Sequence, residues 1–184
     1  MSGYELVLPA LPPELSAREQ GIVRSVEPAV QQLAVALYHR MKARGYRLVF
    51  NSGKRSYADQ ERIYNDTLRA RAQGGAALNA AGLAGITARP GTSRHETGLA
   101  FDATPTPTTD AAWAVYGQEG EALGLTWGGR WTTRLPDGTT RTDRPHMQLS
   151  GGPTVAQLAA GGVLTALLIA AVLAARPSST TGDK

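Results

Sequence analysis

The stretch Ser93-Arg94-His95-Glu96-Thr97-Gly98-Leu99-Ala100-Phe101-Asp102 constrains this chain more than any other. It sets an imidazole and a carboxylate seven positions apart, with a glycine between them and a short apolar run, Leu99 to Ala103, that reads as a strand. Gly98 lets backbone and side chains crowd together just before that strand. Asp102 then comes from a rigid element and His95 from the loop that feeds it. Neutral imidazole and carboxylate are ordinary zinc ligands, but a catalytic zinc takes three protein ligands and keeps one position open. The third candidate is His146, forty-four residues beyond Asp102 in Asp143-Arg144-Pro145-His146-Met147-Gln148-Leu149, a second apolar run behind a proline. Because the chain has no cysteine, neither a disulfide framework nor a thiolate site is open to it. Any metal must be held by histidine and carboxylate.

Around this pair the chain reads as alternating elements. Val26, Val30, Leu33, Leu37 and Met41 recur at helical spacing and predict an amphipathic core helix over 25–44, with Pro28 in its first turn and Gly45 past its end. Tyr46 to Phe50 reads as a strand and Asn51-Ser52-Gly53 as a turn. Ser56 is suited to cap a helix over 57–72 with Ile63, Tyr64 and Leu68 on one side. The Ala/Gly-rich stretch 73–92 is expected to be a mobile loop beside the site, with a short helix near 76–81. Thr109 is suited to cap a helix over 110–123, and Pro136-Asp137-Gly138 to turn a hairpin between Trp127-Gly128-Gly129-Arg130-Trp131 and a closing strand at 147–149. The order predicts an α+β fold, a small and mainly antiparallel sheet with packed helices, plus a C-terminal apolar helix.

The expected organisation is an extended lead-in over 1–24, a metal-binding domain over 25–150, a Gly/Pro linker at 151–154, an apolar helix over 155–175 and a polar tail. The lead-in has no basic start followed by an apolar run and does not read as a secretory signal. Residues 155–175 approach the roughly 20 residues needed to span a bilayer. Gly162, Ala166, Ala170 and Ala174 also form a small-residue stripe, so membrane insertion, self-association and burial in the domain are all open readings. The net charge of +4 is spread along the chain without a dense basic run or interleaved aromatics, which argues against nucleic acid.

A hydrolytic site needs a base and a cation beside its metal. Asp143, three residues before His146, is the candidate base, and Arg55, in the turn after the first strand, is the candidate cation. Asp143 could equally pair with Arg141 or Arg144 on the surface, and Arg55 could serve as a cap. Trp127 and Trp131 read as core or cleft-wall aromatics, and His39, with no partner at ligand spacing, as solvated.

Taken together, Ser52-Gly53-Lys54-Arg55-Ser56-Tyr57-Ala58-Asp59-Gln60, the Ser93 to Asp102 stretch, Trp127 to Trp131 and Asp143 to His146 resemble the zinc D-alanyl-D-alanine carboxypeptidase and L-alanyl-D-glutamate endopeptidase family. Many phage endolysins belong to it, and it shares a metal core with the hedgehog domain. The resemblance implies Zn2+ held by His95, Asp102 and His146, Asp143 as general base, and Arg55 steadying the oxyanion or the substrate. Gln60, Ser93, Trp127 and Trp131, in the same motifs, are expected to contact a peptidoglycan stem peptide. Aspartate at the base position and the Trp-Gly-Gly-x-Trp run point to the endopeptidase branch, with D-alanyl-D-alanine carboxypeptidase as the alternative. A structural or binding module that keeps fold and zinc is the competing class. The chain departs from the family at Lys54, Arg130 and Gln148 and carries an insertion over 134–142. The expected place of action is the cell wall, reached by way of a phage lysis pore, a virion or the C-terminal helix.

Overall fold

The computed structural model describes residues 8–150. Helix α1 spans Ala17–Ser25, α2 Pro28–Ala43, α3 Tyr57–Gln73, α4 Gly75–Ala80 and α5 Asp110–Ala122. Strands β1 (Arg47–Ser52), β2 (Ala100–Thr106), β6 (His146–Gln148) and β3 (Thr126–Trp127) form one antiparallel sheet in the order β1-β2-β6-β3. Strands β4 (Thr133–Arg134) and β5 (Thr140–Arg141) form a separate hairpin.

Local chemistry explains the helix ends. Pro28 occupies the first turn of α2, where its missing N–H is no loss, and Gly45 just past the end takes a φ of +83°. The Ser56 and Thr109 hydroxyls accept from the amides of Asp59 and Ala112, capping α3 and α5. Strand periodicity then divides the sheet into two faces. Phe101, Ala103 and Met147 are buried against α2 and α5 in a core with Leu37, Met41, Phe50, Trp113 and Tyr116. Each such Phe, Leu or Met side chain contributes about 1.5–3 kcal/mol by leaving water. Asp102, His146 and Gln148 alternate with these residues and so belong to the opposite face.

Two expectations are corrected. A helix, α1, lies inside the segment expected to be an extended lead-in, closed by a capping box between Ser16 and Glu19, and its Val23 enters the core. In α3 the buried residues are Gln60, Thr67 and Ala70, while Leu68 is exposed. This helix turns a largely polar face inward because that face borders a cleft. Its end packs with α4 and the hairpin through Ala70, Leu78 and Leu135. The apolar helix expected over 155–175, with its membrane or self-association role, lies outside the described residues. Among the described residues no helix is long and apolar enough to cross a membrane.

Candidate functional site

Strands β2 and β6 pair with Asp102 directly opposite His146, which sets the two side chains on one face of the sheet. His95 reaches them from the loop before β2, where Gly98 takes a φ of +71° and its carbonyl accepts from the Glu27 amide. The three donor atoms form a nearly equilateral triangle. His95 Nε2 lies 3.1 Å from His146 Nδ1, and both nitrogens lie 3.2 Å from Asp102 Oδ1. Ligand bonds of about 2.0 Å in a tetrahedral site put neighbouring ligand atoms about 3.3 Å apart, so the triangle has the dimensions of one face around zinc.

The surroundings fix which atoms face inward. His95 Nδ1 lies 2.7 Å from the Gly53 carbonyl oxygen, which can only accept, so this nitrogen carries the proton and Nε2 presents a lone pair. His146 Nε2 lies 3.0 Å from Gln148 Oε1, which sets the proton there and turns the Nδ1 lone pair toward the triangle. The inner nitrogens of the two imidazoles then meet a carboxylate oxygen, an arrangement that a cation or a proton satisfies. The donor set suits zinc and excludes soft thiolate-selective chemistry.

The second oxygen of the ligand carboxylate is also held. Arg55 Nη2 donates to Asp102 Oδ2 at 2.5 Å, its Nε donates to Ser52 Oγ at 3.0 Å, and its Nη1 to Gln60 Oε1 at 3.3 Å. Burial alone would raise the Asp102 pKa, but the two imidazoles and Arg55 outweigh it and hold the carboxyl well below the usual carboxylate range. Burial also opposes protonation of His146, yet the Asp102 carboxylate beside it moves its pKa up.

Asp143 lines the same cavity, at the start of a turn in which the His146 amide donates to the Asp143 carbonyl at 3.2 Å. Burial first, and the charge of Asp102 second, push its carboxyl up to about 6. The surface pairing considered for it is not what forms: Arg141 is engaged by Asn79 and the Gly75 carbonyl, and Arg144 by Asp110. Gly128 explains how this turn comes so close, since a Cβ there would meet the Asp143 carbonyl oxygen at 2.5 Å and His146 Cβ at 2.9 Å.

The cavity has a volume of about 1140 Å³ and is walled by α3, α4, residues 82–88, the 140–145 segment and the site face of the sheet. Of the residues expected to contact substrate, Trp131 borders it and sets its ring 5.0 Å from that of His146. Ser93 and Gln60 also border it but are buried, and Ser93 Oγ accepts from the His95 amide. Trp127 is a correction: it packs in the core against Gly117, and its indole N–H donates to the Arg144 carbonyl. Arg130 lies over the Trp127 ring and pairs with Glu121, so this departure from the family motif does not border the cleft. His39 is exposed. Sequence reasoning did not assign roles to Gly53 or Gln148 in orienting the imidazoles. Gln148 stands out only as a departure from the family, and its place two residues beyond His146 on one strand is the signal that points to the second.

A triangle of three candidate ligand atoms bordering a cleft of about 1140 Å³, in an α+β domain, is suited to a metal-dependent hydrolase. The model of a family described as VanY, D-alanyl-D-alanine carboxypeptidase, matches residues 23–123, more than half of the chain, and the chain belongs to that family of peptidases. The match ends before Asp143 and His146, which the fold itself brings to the site. The fold is similar to that of VanYB, solved in complex with D-alanine-D-alanine, with a TM-score of 0.51 and 18% identity over 91% of this chain and 98% of that one. A vancomycin resistance D,D-pentapeptidase VanY from a VanB-type cassette, solved with Zn(II), is 19% identical over 90% of each chain, with a TM-score of 0.45. The Serratia marcescens L-Ala D-Glu endopeptidase ChiX is 24% identical over 74% of this chain and 89% of that one, with a TM-score of 0.45. No curated protein matches the chain.

Proposed function

We propose that this VanY-family enzyme is a zinc-dependent peptidoglycan peptidase that cleaves the L-alanyl-D-glutamate bond of the stem peptide. The observation that carries the metal reading is the triangle of His95 Nε2, His146 Nδ1 and Asp102 Oδ1, with edges of 3.1–3.2 Å. A zinc ion bound there would polarise the scissile carbonyl and lower the pKa of a water to about 7. Asp143, in the same cavity and with its carboxyl pushed up to about 6, accepts the proton of the attacking water and passes it to the leaving amine. Arg55 holds Asp102 by one N–H of Nη2 and contacts Gln60 by one of Nη1, which leaves a second N–H on each for the substrate or its oxyanion.

The choice of bond rests on the aspartate at the base position, the Trp-Gly-Gly-x-Trp run and the size of the cleft. A volume of about 1140 Å³ exceeds the usual range for small ligands, roughly 300–1,000 Å³, and accommodates peptide on both sides of the cut. The alternative, removal of a terminal D-alanine, is favoured by the family description. Mass analysis of muropeptides after digestion separates the two. New D-glutamate amino termini are expected; release of free D-alanine alone would establish the carboxypeptidase. Asp143→Ala is expected to abolish turnover with zinc retained, and His146→Ala to lose the metal. Cell-wall digestion that is unaffected by chelator would contradict the metal reading, whereas zinc binding with no release of new amino groups from cell walls would leave a binding or structural module as the better account.

A further inference from the structure

Gln60 stands in the middle of a polar chain that begins at the cleft wall and ends on a metal-site carboxylate. It is only 1% exposed, and both halves of its amide are occupied. Its Nε2 donates to the Ala88 carbonyl at 2.8 Å and to Thr87 Oγ1 at 3.3 Å, which uses both of its N–H groups. Its Oε1 accepts from Arg55 Nη1, and the same guanidinium reaches Asp102 Oδ2. Thr87 and Ala88 border the cavity, in a segment that contains no regular element.

A side chain with no free N–H is poorly placed to read a substrate, although its motif position suggested that role. We propose instead that Gln60 is a positioning residue: it ties the cleft-wall segment at Thr87 and Ala88 to Asp102 by way of Arg55, so that the seating of that wall and the grip on the metal depend on each other. The proposal rests on the zinc reading above. Arg55 is the transmitting group because it is anchored on three sides, by Ser52 Oγ, by Gln60 and by its backbone N–H on the His95 carbonyl. Loss of the Gln60 oxygen frees the Nη1 side of the guanidinium and lets Asp102 Oδ2 swing, which turns Oδ1 out of the triangle. Outer-shell partners of metal ligands typically alter metal affinity by about 10–100-fold, and a group one bond further out belongs at the lower end.

The test is zinc affinity, measured by competition with a chromophoric chelator on the full chain, alongside kcat and KM. Gln60→Met keeps the volume and removes both halves of the amide. It is expected to weaken zinc binding by about tenfold and to lower kcat, with KM within about twofold of the parent. A substrate-contact role would instead raise KM and leave zinc affinity unchanged, and that result overturns the proposal. Gln60→Glu keeps an acceptor for Arg55 and loses the donors to Thr87 and Ala88. It is expected to accelerate amide hydrogen exchange over residues 86–89 and, because wall and metal grip are linked, to weaken zinc binding by about threefold or more. If Gln60→Met does not fold, this second variant decides, and unchanged exchange overturns the proposal. A parent protein that binds no zinc would overturn the metal reading and this proposal together; parent-like zinc affinity in Gln60→Met overturns this one alone.

Discussion

His95 and His146 face each other through nitrogens 3.1 Å apart, and each has its other ring nitrogen engaged by an acceptor, the Gly53 carbonyl for one and Gln148 Oε1 for the other. The two inner nitrogens are thereby brought together beside Asp102 Oδ1, where without a cation only protons can separate their lone pairs. The energy that would otherwise make this unfavourable is the driving force for binding a cation.

Gln148→Ala removes the acceptor that fixes the His146 tautomer. Zinc affinity is expected to fall by about tenfold, since imidazole ligands depend on such outer partners. Gln148→Glu, with a stronger acceptor in the same place, is expected to match or exceed the parent. Chelator competition measures both, and equal affinity across all three proteins would mean that the His146–Gln148 contact has no part in metal binding.

Gly128→Ala sets a methyl against a carbonyl oxygen that cannot rotate away, because the Asp143 carbonyl is held by the His146 amide. The 143–146 turn must shift. A loss of kcat of at least tenfold is expected, consistent with the sensitivity of positioned groups to displacements near 1 Å. Steady-state kinetics on purified peptidoglycan checks this; parent-like kcat would show that the turn has slack.

Asp143 links the site to folding stability. Its carboxyl titrates near 6 in the folded protein, against 3.8 for the ordinary group. Between these values the folded state binds more protons than the unfolded state, so this group makes stability fall as pH rises from about 4 to about 6. Asp143→Asn removes that penalty. Zinc-free Asp143→Asn is expected to be more stable than the parent at pH 7 by up to about 3 kcal/mol and to lose the advantage near pH 4. Thermal melts in chelator at the two pH values read this directly, and a less stable variant at pH 7 would contradict it.

Gly117 tests the placement of Trp127. A Cβ at this position would meet the Trp127 ring at 2.2 Å, in the interior between α5 and β3. Gly117→Ala is expected to destabilise the domain by about 1–3 kcal/mol, the usual cost of overpacking. A melt unchanged by the substitution would mean that the indole is free to move, as a cleft-wall residue would be.

Much of this was legible in the sequence because it depends on local chemistry. Pro28, Ser56 and Thr109 mark helix starts wherever they stand beside a periodic run, and the Pro136-Asp137-Gly138 turn folds back on β4 and β5 as its composition requires. Helix α1 carries its own signal, Ser16 three residues before Glu19, but it is only nine residues long and offers just Ile22 and Val23 as large apolar residues. What stayed hidden depends on distant partners. The buried face of α3 is polar because of what lies across the cleft, and no hydrophobic period can show that. Trp127 and Trp131 are four residues apart in one motif, yet a single 3-10 turn over Gly128–Arg130 sends one into the core and the other to the cavity. The orienting Gly53 carbonyl is a backbone atom, and its role follows from the fold alone.

The most direct measurement is a crystal structure of the zinc-loaded protein with anomalous data collected at the zinc edge. One anomalous peak is expected within about 2.0–2.2 Å of His95 Nε2, His146 Nδ1 and Asp102 Oδ1 together, with a fourth position open to the cleft. A peak elsewhere, or a site that reaches the metal through the outer nitrogens of the two imidazoles, would contradict the account.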